Sequence, residues 1–161
     1  VTVLLGLDLS LTASAAVACD MSWDGDWSRV QSCVVGEKLR KDSSDAERAR
    51  RTESIAARLV AFARSTGATK AFIEGPAYSL RTSAHSLGEL SGVVRLELVR
   101  AGVELVTVPM QTARKLLLGR AVAEALRAAG ARFEGLDESD AFAVLNWGMS
   151  EVGGYCFCRS L

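Results

Sequence analysis

Neither sign of charge is in surplus: nineteen Lys and Arg offset nineteen Asp and Glu, for a formal net charge of zero. A nucleic-acid partner therefore cannot be inferred from overall charge and would have to be met by a local basic surface. Histidine is nearly missing, with His85 alone, and Cys19, Cys33, Cys156 and Cys158 lack the two-residue spacing of zinc knuckles and redox pairs. Zinc ligation is not expected. No apolar run has membrane length and no signal peptide is evident, so no membrane partner is expected, and reduced thiols in a cytoplasmic compartment are the default. The start at Val1 rather than methionine reads as processing or trimming. Only two prolines occur in 161 residues, with no internal repeat or low-complexity linker, and 49% hydrophobic content suffices for one buried core. A single domain over residues 1–161 is expected.

Punctuation along the chain predicts its elements. Val3 to Leu9 is a continuous apolar run suited to a central strand, and Ala15 to Cys19 and Val30 to Val35 follow as two more, completing a meander around Asp24-Gly25. Ser43 or Ser44 caps a helix to about Ser65, with Ile55, Leu59 and Phe62 on one stripe and Gly67 as its stop. Lys70 to Glu74 is a fourth strand, ended by Gly75-Pro76. A helix over Ser83 to Ala101 carries Leu87, Leu90, Val94 and Leu98 at helical spacing, and Val103 to Val108 is a fifth strand. Helical pieces to Leu118 and over Val122 to Ala129 precede a last helix at about Asp137 to Val152. This order predicts an α/β fold, a mixed five-stranded sheet flanked by helices, as in the ribonuclease H-like fold.

Four carboxylates stand where charge is unexpected. Asp8 interrupts Val3-Leu4-Leu5-Gly6-Leu7, Glu74 ends Ala71-Phe72-Ile73, and Asp137 and Asp140 open a helix that continues with Ala141 and Phe142. Singly, each has a bland explanation: a hydrogen-bonded structural acid, the polar end of a strand, a capping-box-like helix start. Together they suggest carboxylates converging on cations, because an isolated buried carboxylate carries a heavy desolvation cost. Hard oxygen ligands favour Mg2+, with Mn2+ as a substitute, and two ions roughly 3.5 to 4 Å apart suit phosphodiester hydrolysis.

Several segments together resemble the RuvC-like Holliday junction resolvases, and the phage-type members most. They are Gly6-Leu7-Asp8-Leu9-Ser10-Leu11-Thr12, Ile73-Glu74-Gly75-Pro76, Gly88-Glu89-Leu90-Ser91-Gly92, Val108-Pro109 with Lys115 and Gly119, and Asp137-Glu138-Ser139-Asp140-Ala141. The similarity spans about Val3 to Gly153. It implies that Asp8, Glu74, Asp137 and Asp140 are catalytic and hold two divalent ions. It also implies a homodimeric endonuclease that nicks four-way DNA junctions symmetrically, with other branched DNA as a further substrate, in the cytoplasm of a bacterial host if the chain is phage-encoded. A basic residue near the scissile phosphate falls on Arg114 or Lys115, and Arg81 and Arg120 are further candidates for DNA contact. An aromatic residue that stacks on opened bases falls loosely on Tyr78. The family's glycine- and lysine-rich stretch has no counterpart here, since Gly119-Arg120 runs straight into Ala121-Val122, and Ala15 replaces a common glycine.

Other residues read more plainly. Arg48, Arg50, Arg51 and Arg58 form a solvated helix face, Ser10 and Thr12 a turn, His85 a polar helix residue near a dimer surface, and Trp23, Trp27 and Trp147 core or hairpin packing. Gly88 and Gly92, one turn apart, would let a partner helix approach, with Leu87, Leu90, Val94 and Leu98 buried between subunits. Two functional alternatives are an actin-like nucleotide-binding domain, which normally needs a second lobe that this length leaves no room for, and a catalytically silent junction-binding module, against which the intact carboxylate set argues.

Overall fold

The structure, a computed structural model, describes residues 1–75, 83–109, 113, 122–133 and 135–153. Within them β1 (Val3–Asp8), β2 (Ser14–Asp20) and β3 (Gln31–Val35) form the expected antiparallel meander. Next come α1 (Asp45–Thr66), β4 (Ala68–Glu74), α2 (Ser83–Arg100), β5 (Glu104–Val108), α3 (Val122–Ala128) and α4 (Leu136–Glu151). The sheet order is β3-β2-β1-β4-β5, with β1, β4 and β5 parallel. The mixed five-stranded, helix-flanked architecture is therefore present. The helical piece expected up to Leu118 falls largely outside the described residues.

Local chemistry accounts for the boundaries. The Ser44 side chain accepts from the Glu47 amide at 3.3 Å while the Glu47 carboxylate accepts from the Ser44 amide at 2.7 Å, a reciprocal cap on α1. Gly67, at φ 71°, takes the left-handed conformation that ends it. Leu5, Leu7, Ala71 and Ile73 pack against Ile55 and Leu59 of α1 and Leu90, Val94 and Leu98 of α2. On the opposite face Leu4, Val17 and Phe72 pack against Phe142, Leu145 and Met149 of α4. The central strand is covered on both sides, so its apolar run is continuous rather than alternating.

One expectation is corrected here. Leu90, Val94 and Leu98 are fully buried and Leu87 is partly buried against the same core, so this stripe belongs to the subunit interior and cannot serve a partner. The outward face of α2 instead carries Gly88 and Gly92, with open space around each, then Leu96 and Val99, exposed at 49% and 58%. Trp23 is buried, and Trp27 and Trp147 pack against the α4-side core. Arg48, Arg50 and Arg58 are exposed along α1, and Arg51 is half-buried.

Candidate active site

Strand register brings the first two carboxylates together. Leu7 pairs with Ile73 across the parallel β1–β4 ladder, so Asp8 and Glu74, the next residue on each strand, end neighbouring central strands side by side. Side chains alternate along a strand. Since Leu4 and Phe72 face α4 while Leu5, Leu7, Ala71 and Ile73 face α1 and α2, Asp8 and Glu74 both face the α4 side. Both are half-buried. The turn after Asp8 is tied by Ser14, whose hydroxyl donates to the Ser10 carbonyl at 2.5 Å and accepts from the Ser10 amide at 2.9 Å. Ser10 and Thr12 are the turn residues expected.

α4 crosses the strands along one row of the sheet. Ser32, Val17, Gly6 and Phe72 are successive partners in the register from β3 to β4. The Ser32 hydroxyl donates to Glu138 at 2.5 Å, a Cβ on Gly6 would meet the Ala141 carbonyl and Leu145, and one on Gly148 would meet the Phe72 ring. Gly6 and Gly148 thus allow the close crossing. Phe142 turns one flank of the helix toward Trp23, with ring centroids 5.5 Å apart beyond the end of β2. At about 100° per residue, Asp137 and Asp140 lie on the other flank, toward the Asp8 end of β1. Asp140, just before Ala141, stands nearer β1, whereas Asp137, just before Glu138, is set toward β3 and lines a cleft with Ser32, Val34 and Arg132.

The four donors are all carboxylates, which suits Mg2+ or Mn2+. Among the described residues, no three His, Cys, Asp or Glu side chains are gathered closely enough to hold a metal ion. Asp8, Glu74, Asp137 and Asp140 are all among the described residues, so the expected four-carboxylate cluster is not closed: Asp8 and Glu74 stand side by side on the sheet, and Asp137 and Asp140 stay on the facing flank of α4, a donor set that suits a divalent ion by its chemistry alone. Tyr78, Arg81, Arg114, Lys115 and Arg120 lie outside the described residues. His85 sits on the surface, 87% exposed, with Nε2 3.1 Å from Glu89.

Sequence reasoning passed over Glu138. It is 5% exposed and accepts from the Gly135 amide at 3.2 Å as well as from Ser32. The reach-back bond at the start of α4 is thus made by Glu138, and the capping-box-like reading of Asp137 and Asp140 is set aside because Gly135, two residues before Asp137, is the N-cap. The signal was a carboxylate three residues after a glycine, but glycine supplies no hydroxyl to advertise a cap.

The fold these elements define is ribonuclease H-like, in the arrangement of the RuvC-like resolvases. "T. thermophilus RuvC in complex with Holliday junction substrate" superposes with a TM-score of 0.72 at 15% identity, covering 95% of this chain and 97% of that one. "Thermus thermophilus RuvC structure" gives 0.67 at 16% identity, covering 95% and 98%. Fowlpox virus resolvase, in a crystal structure with substrate Holliday junction DNA, gives 0.51 at 8% identity, covering 94% and 99%. No protein-family model and no curated protein matches the sequence.

Proposed function

We propose that this chain is a divalent-metal-dependent DNA endonuclease that resolves four-way junctions, and other branched DNA, by paired symmetric nicks. The observation that carries the reading is the pairing of Asp8 and Glu74 on one face of the central parallel strands, beneath the helix bearing Asp137 and Asp140. The similarity of the whole fold to resolvases solved with Holliday junctions supports it.

Asp8, Glu74, Asp140 and Asp137 would hold the ions, Mg2+ or Mn2+. Divalent ions, when bound, activate water and neutralise charge on the departing 3′ oxygen. The protein's part is positional: Asp8 and Glu74 project from the ends of two hydrogen-bonded central strands, and the two aspartates project from a helix pinned to β3 and β1. That rigidity suits in-line hydrolysis, where misplacement is costly.

Symmetric nicking calls for two such sites, and the Gly88, Gly92, Leu96 and Val99 face of α2 is the surface proposed to join two copies of the chain. The deciding experiment incubates the protein with a synthetic four-way junction and with a linear duplex of the same arm sequence, in Mg2+ and in EDTA. Ligatable nicks in two strands of like polarity, only on the junction and only with Mg2+, are expected. Equal cutting of the duplex, or cutting in EDTA, would overturn the proposal.

A further inference from the structure

We infer that Arg132 is a contact for the phosphodiester backbone of the DNA strand that crosses the Asp137 end of the site, an inference that rests on the nuclease reading above. The backbone on either side of Arg132 is anchored. Ala131 is buried, and its amide donates to the Leu126 carbonyl at 2.9 Å. Phe133 packs edge-on against Trp27 at 5.8 Å and tilted against Phe142 at 5.7 Å. Upstream, the Trp27 indole donates to the Ala129 carbonyl at 2.8 Å. With both neighbours turned into the core, the intervening Arg132 is held outward and exposed.

Its charge, unmatched among the described residues, points to an anionic ligand. Arg132 lines the cleft that holds Ser32, Asp137 and Glu138, and also a second depression beside Asp26, Trp27 and Ser28, so it joins the two. Although two carboxylates line the first cleft, Arg132 forms no ion pair among the described residues. Arg29, by contrast, is engaged with Asp20 at 2.7 Å and Asp24 at 3.3 Å. A guanidinium on a fixed backbone, without an ion pair among the described residues and beside a candidate catalytic carboxylate, matches the bidentate geometry of a phosphate and loses little freedom on binding it.

The test measures binding of a labelled four-way junction in EDTA, where no cutting occurs, over a range of NaCl concentrations. Wild type is compared with Arg132→Ala, Arg132→Lys, Arg132→Glu and, as a control on an exposed arginine near the far end of α1, Arg64→Ala. Loss of one phosphate contact should lower the slope of log K against log salt by about 0.9. Arg132→Ala and Arg132→Glu should show that loss, while Arg132→Lys and Arg64→Ala keep the wild-type slope. An unchanged slope in the Ala and Glu variants would overturn the inference alone, as would an equal drop in Arg64→Ala. Failure of the wild-type protein to bind any junction would instead sink the nuclease reading beneath it. Melting curves matching wild type establish that the variants are folded, as an exposed side chain predicts.

Discussion

Replacing Gly6 by alanine tests how tightly the last helix must sit on the first strand. A Cβ built there lies 2.6 Å from the Leu145 Cβ and 2.7 Å from its amide nitrogen, and meets the Ala141 carbonyl as well. Ordinary contact begins near 3.4 Å, so α4 must retreat by at least about 0.8 Å, and backbone atoms cannot rotate aside as a side chain would. Overpacking of this kind costs about 1–3 kcal/mol, and the rigid neighbours place it near the upper figure. The reduced freedom of the unfolded alanine chain returns about 0.4–1 kcal/mol. A net loss of about 2 kcal/mol lowers the melting temperature by roughly 4–8 °C for a chain of this size. The same retreat draws Asp137 and Asp140 away from Asp8, and a misplacement near 1 Å costs about 10²-fold in rate. Calorimetry and nicking assays well below the melting point should therefore show both losses, with junction binding in EDTA kept. A variant as stable and as fast as wild type would refute the close crossing; one less stable but equally fast would show that this spacing does not govern the site.

Asp8→Asn should reduce nicking by more than about 10²-fold, the scale of losing one electrostatic stabiliser, while gel-shift affinity for a junction in EDTA is preserved; full nicking would remove Asp8 from the mechanism. Ser32→Ala strips a hydrogen bond from the buried Glu138 carboxylate and should cost about 1.5–3 kcal/mol by urea titration, whereas a change confined to a few tenths would mean that α4 is not anchored there. Leu96→Asp with Val99→Asp on the exposed face of α2 should turn a sedimenting dimer into a folded monomer; a wild-type protein that is monomeric both free and on DNA would defeat the proposed interface. Burial, with Asp20 adding and Arg29 opposing, pushes the Cys19 thiol up to about 12, so native protein at about pH 8.5 should leave it unalkylated by peptide mass spectrometry. Because the folded value lies above the unfolded one, the associated stability is complete below the ordinary thiol pKa of roughly 8.5 and is lost as pH rises from there toward 12.

Much of this arrangement was legible beforehand because local and global signals agree. Ser44, Glu47 and Gly67 mark the ends of α1 by capping chemistry alone, and Asp8 and Glu74 stand out because each follows a run of buried apolar residues. What could not be read is which surface covers a given stripe. Periodicity shows that Leu87, Leu90, Val94 and Leu98 share a face, yet whether a partner subunit or α1 and the sheet lie opposite depends on tertiary contacts, and the sheet and α1 proved to be the occupants. Glu138 escaped notice because a charged residue between two aspartates looks solvated, and only its bond to Ser32, 106 residues away in sequence, draws it inside. Arg132 likewise becomes conspicuous only when its neighbours are seen to be buried.

The crossing of α4 over β1 has a consequence for the chain as it is being made. β1 leaves the ribosome early and α4 well over a hundred residues later, at a pace of about 5–20 residues per second. Until then the face formed by Leu4, Val17 and Phe72 has no cover, so the growing chain presents an apolar sheet surface suited to chaperone capture. Over the same interval Asp8 and Glu74 exist without their helical counterparts. Under the proposed function, the capacity to cut DNA would arrive only with the docking of that helix, which carries Asp137 and Asp140 to the face that Asp8 and Glu74 share.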